Sequence, residues 1–147
     1  MDRIARETEP DLPYGDWVFH RVLAESADVA NSVARAAVAS TYTIGDLAAI
    51  VVPTRSGRTA RLVSAHRPRV PVLAISPRLA TVRRLNLLFG VRCAIADDWV
   101  GLTALLDDCA RLAKQTGVAK SGELIAVTAG LPSQELGTNL FEVHRVP

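Results

Sequence analysis

Four short apolar runs dominate this 147-residue chain: LAAIVV (Leu47–Val52), VPVLAIS (Val70–Ser76), VRCAIA (Val91–Ala96) and ELIAVTAG (Glu123–Gly130). Between each pair lies a stretch with helical spacing of apolar residues. Strands joined by helices must run parallel, because a crossover helix returns the chain to the same end of the sheet. Near-continuous apolar strands belong to a sheet covered on both faces. A fifth run, LFEVHRV (Leu140–Val146), follows the fourth by a connection containing Pro132 and Gly137, too short for a helical crossover. Its expected pairing is therefore antiparallel, at or near an edge. The alternation of Phe141, Val143 and Arg145 against Glu142, His144 and Val146 is imperfect. The expected fold is α/β: a three-layer α/β/α domain with a five-stranded, mostly parallel sheet and its last strand antiparallel.

The helical stretches have readable punctuation. Residues 1–9 form a short helical pattern broken by Pro10 and Pro13, and LPYGDW reads as a loop. Residues 26–43 place Val29, Val33 and Ala37 on one helical face, with Gly45 as a stop. A helix is expected over 57–65. Ser76-Pro77 reads as a hydroxyl N-cap followed by proline at the first helical position, opening a helix that runs to Phe89 and stops at Gly90. Asp97 and Asp98 read as caps for a helix over 99–116, closed by Gly117.

The first strand hands over to its helix through Thr54-Arg55-Ser56-Gly57-Arg58-Thr59. In open parallel sheets, ligands bind beyond the carboxyl ends of the strands, where this turn must lie. The first N–H groups of the helix have no internal partner, and the helix dipole adds positive potential. Thr54, Ser56 and Thr59 supply hydroxyls, Gly57 permits close backbone approach, and Arg55 and Arg58 supply forked donors suited to phosphate oxygens. These are the parts of a phosphate cradle. A plain helix cap formed by Thr54 or Ser56 alone is the other reading. Neither a Walker P-loop nor G-x-G-x-x-G is present.

Charge adds to this. From Leu47 to Ala96 there are nine arginines and no Asp or Glu; the net charge is +2, so the remainder carries −7. Such a split points to an anionic partner on one side of the fold, or to a solvated Arg-rich face. Nucleic acid is not the expected partner, since three Phe and two Tyr leave little to stack on and no nucleic-acid motif is present. No apolar run is long enough to span a membrane, and MDRIARETEP has no signal-peptide core, so a cytoplasmic domain is expected. Cys93 and Cys109 match no zinc or redox spacing and read as buried thiols of a reducing compartment. His20, His66 and His144 lack ligand spacing, and Asp97-Asp98 has no third carboxylate nearby, so no metal site is expected. Trp17 and Trp99 flank loops and read as packing or interface residues, with Trp99 able to stack on a sugar or base.

Three ordered blocks are similar to one family. PTRSGRTARLVSAHRPRVPVLAISP, then VRRLNLLFGV, then GELIAVTAGLP with GTNLFEVHRV resemble the C-terminal domain of pyruvate kinase, from about Glu25 to Val146. MDRIARETE is similar to the helix leading out of that family's catalytic barrel, giving residues 1–24 as helix and linker and 25–147 as the domain. The resemblance implies a regulatory domain whose Thr54–Thr59 turn binds a phosphate of an allosteric effector. It implies a lid from the loop that includes Gly130, Leu131, Pro132, Ser133 and Gly137. The whole enzyme would transfer phosphate from phosphoenolpyruvate to ADP using magnesium and potassium, usually as a homotetramer in which these domains meet. The barrel, the metal-binding carboxylates and the catalytic lysine have no counterpart here, so no catalytic residue, cofactor or activity is expected of this chain alone.

Two departures bear on the effector. The loop Leu131–Thr138 is about one residue shorter than the family pattern and carries Gln134 and Glu135. The helix before the fourth strand offers Leu105, Leu106, Asp107 and Asp108 where bisphosphate-binding members use an arginine. A sugar phosphate or nucleoside monophosphate is thus the expected effector, in preference to a bisphosphate. The alternative is a structural association domain, or a free-standing relative, that binds no effector and associates with itself or with a barrel.

Overall fold

A computed structural model describes residues 2–20, 28–130 and 137–147. The elements are helices α1 (Asp2–Thr8), α2 (Tyr14–His20) and α3 (Val29–Thr43), strand β1 (Leu47–Pro53), α4 (Arg58–Ala65), β2 (Val72–Ser76), α5 (Leu79–Leu85), β3 (Val91–Ile95), α6 (Leu102–Gln115), β4 (Leu124–Ala129) and β5 (Leu140–Arg145). A 3-10 turn over Glu9–Asp11 follows α1. The strand order is β3-β2-β1-β4-β5. Strands β1 to β4 pair in parallel, and β5 pairs antiparallel with β4, with Ala126 opposite Val143. The fold class expected from the apolar runs is the one observed.

The two faces of the sheet are covered unequally. On one, Ile50, Val52, Val72, Ala74 and Ala126 meet Ala34, Ala37 and Val38 of α3, Ala60 and Val63 of α4, and Leu85 of α5. On the other, Ala49, Val51, Leu73, Ile75, Ile125 and Val127 meet Cys109, Ala110, Leu112 and Ala113 of α6. Small residues on α3 and α6 let these helices sit close to the strands. Parity along β1 breaks once: pairing with β4 shifts register between Leu47 and Ala49, so Leu47 joins the face of Ile50. Each fully buried Leu or Ile contributes about 1.5–3 kcal/mol, which makes these two clusters the main source of stability. Burial, helped by the neighbouring Asp108 charge, pushes the Cys109 thiol up to about 12, and burial also raises Cys93.

Several boundaries differ from expectation. LPYGDW is not a loop: it contributes to α2, a helix stabilised by tertiary packing. Val18 is buried in the α3 face of the core, and Gly15 lies so close to Tyr42 that a Cβ would be 3.3 Å from its ring. Phe19 meets Tyr42 edge-on, and the Arg67 guanidinium lies 4.1 Å from the Phe89 ring centre and 5.9 Å from that of Tyr14. Helix α5 is shorter than Ser76-Pro77 suggested. Ser76 Oγ does accept the Arg78 N–H at 3.3 Å, but Arg78 is the N-cap, and the helix ends at Leu85, beyond which the backbone tightens into turns with Leu87 N–H on the Arg84 carbonyl and Leu88 N–H on the Leu85 carbonyl. Asp97 and Asp98 do not cap α6, which starts after Gly101 with no side-chain cap bond. Helix α3 starts at Val29 behind its Asp28 cap, three residues after the expected start, and the remaining ends agree within a residue or two.

Candidate functional site

Strand order places the site. The chain steps from β1 through α4 to β2 and through α5 to β3, then α6 carries it back across the other face to β4, on the far side of β1. Beyond the carboxyl ends of β1 and β4 the connections diverge, and such a switch point opens a crevice. A cleft of about 490 Å³ lies there, within the ~300–1,000 Å³ usual for small-molecule sites.

One wall is the turn singled out in the sequence: Thr54, Arg55, Ser56, Arg58 and Thr59 all line the cleft. Thr54 Oγ1 accepts the Gly57 N–H at 2.9 Å, and Ser56 Oγ accepts the Arg58 N–H at 3.4 Å. Both hydroxyls therefore brace the turn from within and still keep a proton to donate into the cleft. Neither is the helix cap that the sequence offered as the other reading. Gly57 is the N-cap of α4, with φ +84°, and does not line the cleft. A Cβ there would lie 2.9 Å from Leu85 Cδ2, so glycine lets the turn pack under α5. Thr81 Oγ1, on α5, donates to the Arg55 carbonyl at 2.9 Å and fixes the turn from behind. Thr59 is buried and its hydroxyl bonds that of Thr138.

The opposite wall is apolar and aromatic: Trp99, Leu102 and Leu105, with Gly101. Trp99 Nε1 donates to Asp108 Oδ2 at 3.0 Å, and Arg111 also bonds Asp108, so this carboxylate serves to hold the indole. Ala129, Gly130, Gly137 and Thr138 complete the cleft. Gly130 and Gly137 touch so closely that a Cβ on Gly130 would collide with the Gly137 carbonyl. Of the expected lid, Gly130 and Gly137 border the cleft; Leu131, Pro132 and Ser133, with Gln134 and Glu135, lie outside the described residues.

Two contacts were missed in the sequence. Arg55 Nε and Nη2 each lie 3.1 Å from Asp98 Oδ1. Arg58 Nη2 bonds Asp28 Oδ2, while Asp28 Oδ1 caps α3 by accepting the Ala30 N–H at 3.2 Å. Asp98 follows the third strand in a charged loop; no local pattern linked it to Arg55, 43 residues earlier. Among the described residues, no group of His, Cys, Asp and Glu is disposed to hold a metal ion. No helix there is long and apolar enough to cross a membrane.

Fold and cleft together define the class: an α/β/α domain with a cleft at its switch point, one wall a hydroxyl- and arginine-bearing helix start. Residues 31–144 match the family model described as pyruvate kinase, alpha/beta domain. The chain is 36% identical over 145 residues to a pyruvate kinase of Geobacillus stearothermophilus, covering 98% of this chain and 24% of that protein. It is 32% identical over 146 residues to a pyruvate kinase of Bacillus licheniformis, covering 99% of this chain and 25% of the relative. The crystal structure of a pyruvate kinase from Cryptosporidium parvum superposes with a TM-score of 0.84 at 23% identity, over 99% of this chain and 28% of the other. This chain belongs to the pyruvate kinase C-terminal α/β domain family. It spans about a quarter of the length of the curated relatives it matches.

Proposed function

We propose that this chain is the regulatory and assembly domain of a cytoplasmic pyruvate kinase, and that its cleft binds one phosphate of an effector. The catalytic transfer from phosphoenolpyruvate to ADP, with its magnesium and potassium, belongs to a barrel that this chain does not contain. Residues 1–24 lead to that barrel on this reading, and the exposed faces of Trp17 and Phe19 on α2 supply apolar surface for docking. The observation that carries the phosphate reading is the convergence of Thr54, Arg55, Ser56, Arg58 and Thr59 on one cleft at the start of α4. Opposite them, Trp99 and Leu105 offer an apolar wall to the rest of the ligand, which favours a sugar phosphate or nucleoside monophosphate over a bisphosphate. Calorimetric titration with sugar monophosphates and nucleoside monophosphates tests the site. The double variant Ser56→Ala/Arg58→Ala is expected to lose binding while its urea midpoint stays nearly unchanged. Loss of folding in that variant, or no heat with any ligand, refutes the assignment.

A second reading is a structural association domain. Leu105 in the cleft wall and the apolar exposure of α2 support it. Light scattering separates the two: an oligomer indifferent to every phosphate compound favours association alone.

A further inference from the structure

The turn that lines the cleft is braced from several sides, and two of the braces are charged. Asp98 reaches Arg55 from the β3–α6 connection, and Asp28 reaches Arg58 from the N-cap of α3. Thr81 on α5 holds the backbone of the turn at the Arg55 carbonyl, so the arginine side chains can change partners while the turn stays put. The Arg55 and Asp98 side chains are 65% and 58% exposed, and Arg58 is 65% exposed. Pairs with this much exposure are weak and exchange readily. For an anion entering the cleft, each carboxylate is an obstacle. If it is displaced, it must first be stripped from its arginine; if it stays, it repels the anion at close range. Both costs fall on anions of every kind.

The Asp98 pair also holds chain in place. Among the described residues, positions 97–100 make no backbone hydrogen bond, and side-chain bonds tie them down at two points, Asp98 to Arg55 and Trp99 to Asp108. Val100 is 92% exposed, so packing adds nothing there. Gly101 closes the stretch at φ 91° and ψ 164°, a conformation open essentially to glycine alone. With Asp98 released, the stretch is held by Trp99.

We infer that Asp28 and Asp98 form a self-inhibiting clasp on the cleft: they occupy Arg58 and Arg55 when no anion is bound, and an anion that takes the arginines frees the β3–α6 connection. This rests on the phosphate reading of the cleft and adds to it a built-in competitor, with a loop whose freedom reports occupancy. Asp28→Asn retains an oxygen for the α3 cap, since asparagine caps as well as aspartate.

The test titrates inorganic phosphate and adenosine 5′-monophosphate by calorimetry into the wild-type chain, into Asp28→Asn/Asp98→Asn, and into Asp46→Asn as a charge control at the opposite end of β1. The double variant is expected to bind both probes more tightly, by about two- to fivefold for each carboxylate removed, while Asp46→Asn stays close to wild type. NMR backbone order parameters over 97–100 are expected to fall toward about 0.6 in the double variant without ligand, and in the wild type at saturating inorganic phosphate. Equal or weaker binding by the double variant, with the wild type still binding, overturns the inference and leaves the phosphate reading standing; the carboxylates would then orient the arginines instead of competing for them. Order parameters that neither the double substitution nor inorganic phosphate changes overturn it too. No binding of either probe by any of the proteins overturns it as well, and the phosphate reading falls with it if the sugar phosphates also fail.

Discussion

The turns after β1 and β2 are built from similar parts and have different surroundings. Each strand runs out at or just before a hydroxyl residue that accepts a backbone N–H two or three positions on: Thr54 from Gly57 at 2.9 Å, Ser76 from Arg78 at 3.3 Å. Each carries arginine, and each opens a helix on the same face of the sheet. Only the first turn lines the cleft. The reason is topological: β1 has β2 on one side and β4 on the other, whereas β2 lies between its neighbours in sequence. The same turn chemistry becomes a candidate site only where the strand order reverses.

Glycine substitutions should give the largest effects. Gly57→Val combines left-handed strain with a collision against Leu85 and is expected to cost about 2–5 kcal/mol. Gly90→Ala, outside both turns and just ahead of β3, at φ +67° with open space around it, is the reference and should cost only about 1–2 kcal/mol. Urea denaturation measures both, and equal losses would mean that the fit beneath α5 does not matter. Next come the turn hydroxyls. Thr54→Ala and Ser76→Ala each remove one hydroxyl acceptor and should lose about 0.5–1.5 kcal/mol, but only Thr54→Ala should weaken phosphate binding. If Ser76→Ala weakens it equally, the distinction between the turns fails. Last comes Thr81→Val, which leaves the Arg55 carbonyl without its α5 donor and should cost about 0.5–1.5 kcal/mol. Its sharper readout is ligand affinity, which should drop if α5 holds the turn in shape.

Much of this was legible in the residues. The strands were readable because four buried runs are continuous and a fifth follows too closely to cross over. The cleft wall was readable because Thr54 to Thr59 are contiguous, although Gly57 proved to serve packing with α5 and to lie outside the lining. Helix α2 was not legible, since Tyr14, Gly15 and Trp17 have little helical preference and the helix depends on Tyr42, 27 positions after Gly15, for its packing. Asp97-Asp98 looked like a cap because a local pattern can supply one. The partner that Asp98 takes, Arg55, is brought to it only by the parallel pairing of β2 with both β1 and β3.

The contact between Gly130 and Gly137 has a consequence for how such a domain diversifies. Chain departs and returns at almost one point there, and the pairing resumes at once, with the Asn139 N–H bonded to the Ala129 carbonyl. With the two ends of this connection held together by the sheet, closing a longer loop between them would cost little more entropy. A join of this kind can take insertions or exchanges while the strands beneath keep their alignment. Ligand preference can then drift faster than fold.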